Sequence, residues 1–205
     1  MADRNKDLLF FTGRMILYML LMVLLNVVFM HDAHHVTSTG KFGEISRTEI
    51  LQEIFLFLLG IIFVFISIKD REIAPAAKLI SLFFFMAFIR EFNNQIDYWF
   101  YFVIPLLLLM LWFVYRDRKK LLSSLHRFIL KPEIAWFVIG FLVTFVFSRL
   151  FGRSELWQAL MENDYNRWVK NAAEEGIELL GYSFFMVSAI EILISVLKNR
   201  KTTEK

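Results

Sequence analysis

The sequence predicts an all-α membrane protein, a polytopic bundle of six transmembrane helices with both termini in the cytoplasm. Hydrophobic residues make up 58% of the 205 positions, which exceeds the share of about half in soluble domains. Six stretches are long and apolar enough, or nearly so, to cross a bilayer. Lys and Arg are concentrated on one side of these stretches. We therefore treat residues 1–205 as one integral-membrane domain.

The apolar stretches give the approximate positions of the spans. A helix needs about 20 mostly apolar residues to cross a bilayer. The first stretch is too long for a cleavable signal peptide, so we expect it to be retained as a span. The third is the least apolar, because Ile89 ends its strictly apolar part and the last turns must come from residues 90–97. The predicted spans are 8–30, 50–68, 77–97, 98–115, 134–151 and 178–197.

The positive charges orient this bundle. With the N-terminus in the cytoplasm, sixteen of the 23 Lys and Arg lie on the cytoplasmic side and seven lie outside. Cytoplasmic loops carry such an excess, so both termini are expected inside. Acidic residues have the opposite distribution, with twelve outside and seven inside. The absence of a eukaryotic sorting signal favours the inner membrane of a bacterium.

Two connections between spans have the pattern of amphipathic helices. The loop 116–133 is strongly basic, and Leu121, Leu125 and Phe128 recur in it at helical spacing. We expect it to lie on the cytoplasmic membrane face and to attract anionic lipids; it is too short and too apolar for nucleic acid. The outer segment 152–173 places Trp157 and Trp168 on one stripe, which predicts an interfacial helix with aromatic anchors.

Composition and motifs exclude several chemistries. The chain has no cysteine, which excludes disulfides, thiolate metal sites, iron–sulfur clusters and a cysteine nucleophile. It has no phosphate-binding glycine loop, no Gly-x-Ser-x-Gly elbow and no His-Glu-x-x-His motif. The remaining candidates are histidine, carboxylate and arginine side chains at the outer ends of the spans.

Two groups of residues predict a site for a divalent metal such as Zn, Fe or Mn. His31 and His35 share a helical face, a spacing that suits two imidazoles on one ion, and Asp32 could add an oxygen. Glu174 and Glu178 repeat this spacing at the start of the last span. The alternative is a solvated helix end and acids that complement a helix dipole. The predicted metal ligands are His31, His34, His35, Glu174 and Glu178.

A second group could bind a substrate or transfer protons, since ionisable groups in or beside spans are costly and rare. Glu53 lies one turn deeper than Glu49, whose place in the Ser46–Glu49 capping box already explains it. Arg90 needs a carboxylate partner, which Asp97 or a glutamate of another span could supply. The alternative is a structural salt-bridge network. The predicted catalytic residues are Glu53, Arg90, Glu91, Asp97 and Glu175.

Three functions stay open from the sequence. The first is a metal-dependent, membrane-embedded enzyme that acts on a lipid or another membrane-associated substrate, with Arg90 holding an anionic group. The second is a non-catalytic scaffold or complex subunit, with membrane-protein partners or copies of itself. The third is a cation or proton transporter. Glu191, deep in the last span, is expected to serve helix packing rather than the outer cluster.

Overall fold

The computed structural model describes residues 2–35, 42, 46–92 and 97–203, and all regular secondary structure in these ranges is helical. This confirms the predicted all-α class. The helices are α1 (Ala2–His34), α2 (Arg47–Lys69), α3 (Ala74–Glu91), α4 (Phe100–Ile129), α5 (Ile134–Leu142), α6 (Ser148–Phe151), α7 (Ser154–Met161) and α8 (Arg167–Thr203). A π-helical turn, Val143–Phe147, joins α5 and α6 into one rod, and a 3₁₀ turn, Glu162–Asp164, follows α7.

Within the described ranges, five helical segments are long and apolar enough to cross a membrane. The helix α3 is not among them, because its 18 residues include the charged Lys78, Arg90 and Glu91. The third predicted span, 77–97, and with it the total of six, therefore stays a prediction. The five segments are Leu8–His34, Arg47–Lys69, Phe100–Ile129, Ile134–Phe151 and Arg167–Lys198.

Three predicted boundaries differ from the structure. The third predicted span reaches residue 97, but α3 ends at Glu91 and Asp97 lies in the turn before α4; residues 93–96 lie outside the described residues. The basic loop 116–133 is mostly the continuation of α4 to Ile129, because no Gly or Pro interrupts residues 106–131. The outer segment 152–173 divides between α7 and the first turns of α8.

The core lies between α2, α3, α5 and α8 and is built from phenylalanine. Phe63, Phe84 and Phe185 are fully buried. The ring of Phe84 stands 5.9 Å from Phe63 and 5.3 Å from Phe185, centroid to centroid. Phe137 of α5 adds an edge-to-face contact with Phe185 at 4.8 Å. Aromatic pairs in this geometry add about 0.5–1.5 kcal/mol each beyond the area they bury.

Glycine allows α5 and α8 to approach closely. A Cβ atom added to Gly140 would lie 3.0 Å from the carbonyl oxygen of Gly181. One added to Gly181 would overlap the hydroxyl of Thr144, which is buried without a hydrogen-bond partner among the described residues. Helices in membranes pack through small residues of this kind, since lipid supplies no hydrophobic drive between helices.

The first helix packs on α2 and α8 through polar contacts near its two ends. Glu191 of α8 accepts hydrogen bonds from Arg14 at 2.7 Å and from the hydroxyl of Tyr18. At the other end, Asp32 accepts the backbone N–H and the hydroxyl of Thr48, both at 2.7 Å. The expected packing role of Glu191 is therefore confirmed. Most apolar side chains of α1 are exposed on the bundle surface.

Serine hydroxyls accept backbone hydrogen bonds at the start of α2 and near the end of α4. The Ser46 hydroxyl accepts the backbone N–H of Glu49 at 3.2 Å, which confirms the predicted cap. Ser124 of α4 accepts the backbone N–H of Ala76, one of the free donors in the first turn of α3. Phe128 follows Ser124 by one turn and is buried against Phe63. The end of α4 is thus anchored in the bundle.

The contact between α5 and α8 predicts the effect of a methyl group at Gly181. We expect Gly181→Ala to destabilise the protein by about 1–3 kcal/mol, because the new Cβ forces the two helices apart. Thermal unfolding in detergent measures this change. Adding Thr144→Ala should recover part of the loss. The matched control is Gly13→Ala, where no heavy atom lies within 4 Å. Equal unfolding temperatures for the two alanine variants would contradict the close approach.

Candidate functional site

Two glutamates in the first half of α8 form ion pairs with Arg149, which lies at the end of the α5–α6 rod. Arg149 donates to Glu178 at 3.0 Å and lies 3.7 Å from the carboxylate of Glu174. Glu174 also binds Lys170, one turn earlier in α8, at 3.0 Å. Ser148 donates a further hydrogen bond to Glu178 at 3.2 Å. One arginine thus joins two predicted metal ligands, and both carboxylates have partners within the chain.

The side chain of Glu175 contacts α2 rather than α6. The buried side chain of Gln52 donates to the Glu175 carboxylate at 2.9 Å and to its backbone carbonyl at 3.1 Å. One side chain of α2 thus satisfies two acceptors of α8. Successive acids of α8 therefore bind different helices, which ties α2 and α6 to different faces of α8.

The backbone of Gly152 packs directly against the Glu174 carboxylate. A Cβ atom at this position would overlap the carboxylate, so a larger residue here would require the Glu174 side chain to shift. The carbonyl oxygen of Gly152 accepts a hydrogen bond from Lys170 at 3.4 Å. The C-terminal end of α6 is therefore shaped to receive the ion pair of α8.

The third polar group lies where α3 ends. Arg90 donates to its neighbour Glu91 at 2.9 Å and is half-exposed. Glu91 lies close enough to Glu53 and Glu178 to interact with both electrostatically. Of the two partners considered for Arg90, Asp97 is exposed and forms no ion pair with the described residues, while Glu178 of another helix interacts with Arg90 electrostatically.

Tyr182 extends this group into the bundle. Its side chain is 3% exposed, and it interacts electrostatically with Arg90, Glu91 and Glu178. A phenol can donate a hydrogen bond to a carboxylate, so Tyr182 is chemically suited to this position. The sequence pattern did not single it out, because one tyrosine in an apolar span resembles ordinary core packing.

The histidines do not join the carboxylates. The rings of His31 and His35 stack on each other with centroids 4.0 Å apart, and Nδ1 of His31 faces Asp32 at 3.3 Å. Asp32 is committed to the start of α2 through Thr48. His34 is exposed. Within the described ranges no group of three or more His, Asp and Glu could hold a metal ion. The described residues therefore give no support to the predicted divalent metal site.

One end of the bundle thus holds a polar network with more acids than cations. Its members come from α2, α3, α6 and α8, whereas the sequence analysis expected polar groups from the ends of the first, second, third and last spans; α6 contributes in place of α1. We call it the acidic network. Its carboxylates are Glu49, Glu53, Glu91, Glu174, Glu175 and Glu178, and its cations are Arg90, Arg149 and Lys170.

Comparison with known proteins gives no relative: no protein-family model, curated protein or solved structure matches this chain.

The shared position of Arg149 predicts its effect on stability. We expect Arg149→Gln to destabilise the protein by about 1–2 kcal/mol, since Glu174 and Glu178 lose their common partner while half-exposure of the guanidinium limits the loss. Chemical or thermal unfolding in detergent measures the change. Arg153→Gln is the matched control, because Arg153 is exposed and makes no ion pair with the described residues. The two variants should differ; if they unfold alike, Arg149 does not hold the network.

Proposed function

We propose that this chain is a non-catalytic scaffold or subunit of a membrane complex, in which the acidic network locks the outer ends of the helices. The observation that carries the proposal is the internal pairing of the α8 acids. Glu174 and Glu178 share Arg149, and Glu175 binds Gln52. Acids that are satisfied by their own chain are poorly placed to serve as metal ligands or as a substrate site. Removing one partner from such a pair leaves the other charge uncompensated and destabilises the fold, so the network suits a structural role.

The exposed faces of α1 and α4 support the same role. Both helices lie on the outside of the bundle and expose large apolar side chains along most of their length. Lipid or the helices of another protein, including a second copy of this chain, would cover these faces. We also propose a multi-pass protein of the inner membrane of a bacterium, because the sequence carries no eukaryotic sorting signal, with both termini inside on the distribution of Lys and Arg.

A membrane-embedded enzyme is the second candidate, and the charge balance of the acidic network favours it. Six carboxylates surround three cations and the buried Tyr182, an arrangement able to move protons. Arg90 is half-exposed and could hold the anionic group of a lipid or other membrane-associated substrate. Glu53 and Glu91 would then act as acid and base. A transporter has less support, since α8 carries no charge between Glu178 and Glu191.

Paired measurements of folding and function separate the two candidates. Glu53→Gln, Glu175→Gln and Glu178→Gln are introduced into a strain that lacks the chromosomal copy. For each variant, the folded protein in membranes and the rescue of the deletion phenotype are measured at two growth temperatures. If the acidic network is structural, rescue should be proportional to the amount of folded protein, and both should increase at the lower growth temperature. A variant with the parental amount of folded protein and no rescue would instead establish a chemical role.

Topology is testable because the chain contains no cysteine, so single cysteines can be introduced without background. Six spans with both termini inside predict that Tyr98→Cys and Ser154→Cys react with a membrane-impermeant maleimide in intact cells. Glu72→Cys and Ser123→Cys should react only after the membrane is opened. All four positions are exposed, so burial does not block the reagent. Labelling of residues 72 and 98 from the same side would show that α3 does not cross.

A further inference from the structure

The second half of α4 carries cations that the bundle does not neutralise. Asp117 is the acid of this stretch, and it is already bound by Lys78 at 3.8 Å and by Arg116 at 3.4 Å. Arg118 and the two lysines that follow it make no ion pair in the described part of the chain. These side chains surround a shallow crevice of about 510 Å³. Its lining consists of Tyr115, Arg116, Asp117, Arg118, Lys119 and Lys120.

Aromatic rings hold the two arginines of the crevice in place. The guanidinium of Arg116 lies 4.3 Å from the ring centre of Trp112 and 4.8 Å from that of Phe113. Arg118 lies 5.1 Å from the ring of Tyr115. A guanidinium over an aromatic face is attracted by the ring and loses mobility, while its N–H donors stay available at the edge. The crevice is thus partly ordered before any ligand binds.

The aromatic residues of α4 place the crevice at the level of lipid headgroups. Tyr98 and Trp99 stand at one end of the apolar part, and Trp112 and Tyr115 stand at the other. From Trp99 to Tyr115 the helix rises by about 24 Å, close to the hydrocarbon thickness of a bilayer. Trp and Tyr prefer the boundary between hydrocarbon and headgroups. The cations from residue 116 onward follow directly beyond this boundary.

Exposed apolar side chains beside the cations favour a bilayer over a soluble anion. Leu122 is 78% exposed and Ile129 is 61% exposed, on the same stretch of helix as the basic residues. A surface that presents both aliphatic and cationic groups matches the edge of a bilayer, where acyl chains and charged headgroups meet. Free phosphate would use the cations but would leave the aliphatic groups in water.

We propose that this crevice binds the headgroups of anionic phospholipids. The lipid phosphate would accept hydrogen bonds from the guanidinium groups of Arg116 and Arg118, and Lys119 and Lys120 would add point charges. The acyl chains would lie along the apolar part of α4 above Trp112. The inference does not depend on the role proposed for the acidic network, which lies at the other end of the bundle.

Lipid retention tests this proposal on the full-length protein. The purified protein is mixed with equal amounts of phosphatidylglycerol and phosphatidylcholine that carry the same acyl chains, then re-isolated, and its bound lipids are quantified by mass spectrometry. The parent should retain phosphatidylglycerol in clear excess. Each cation at an anionic surface contributes about fivefold to binding. Arg118→Gln with Lys119→Gln should therefore reduce that excess by about five- to 25-fold.

Matched variants and salt complete the test. Arg153→Gln with Arg167→Gln also removes two exposed cations, from the opposite end of the bundle, and should keep the parental preference. High salt should weaken the preference of the parent for phosphatidylglycerol. This measurement uses the parent alone, so it does not depend on whether a variant folds. Equal retention of the two lipids by the parent, or the same loss in both double variants, would overturn the proposal. Displacement of phosphatidylglycerol by inorganic phosphate would also overturn it, because a free anion would then be the preferred ligand.

Discussion

A charged side chain in apolar surroundings must find a partner, because an isolated buried charge costs several kcal/mol. This requirement places α8 at the centre of the molecule. Acids in its first half bind α6 and α2, and Glu191 in its second half binds α1. Between these polar points α8 is apolar and packs through residues such as Phe185 and Ile192. The polar contacts fix which helices surround α8 and at what level, while the apolar contacts fill the space between them.

The sequence predicts the class and most of the helices for a simple physical reason. A chain in a bilayer satisfies its backbone within each helix, so length and hydropathy alone mark the segments. The ends of the helices are harder to predict, because a charged residue does not by itself end a helix. Residues 116–129 show this: their basic, amphipathic pattern predicted a separate short helix at the membrane surface, yet α4 runs through them without interruption.

The composition of the polar site was partly predictable, but its pairing was not. The outer position of Glu174 and Glu178 follows from counting residues along a span. Their partner Arg149 lies about 25 residues away on another helix, and only the rotation of the α5–α6 rod brings it to them. Periodicity within one helix carries no information on that rotation. The stacking of His31 on His35 and the capping role of Asp32 were hidden for the same reason, since both depend on side-chain directions at the α1–α2 junction.

The contact between Arg14 and Glu191 has a consequence for how the protein is made. The two residues are separated by 177 positions, so Arg14 is synthesised well before its ionic partner. At translation rates of about 5–20 residues per second, that delay lasts about 10–35 seconds. Throughout this interval Arg14 lacks the carboxylate that binds it in the folded bundle. This ionic contact between α1 and α8 therefore cannot guide the early packing of α1 and can form only after α8 has been made.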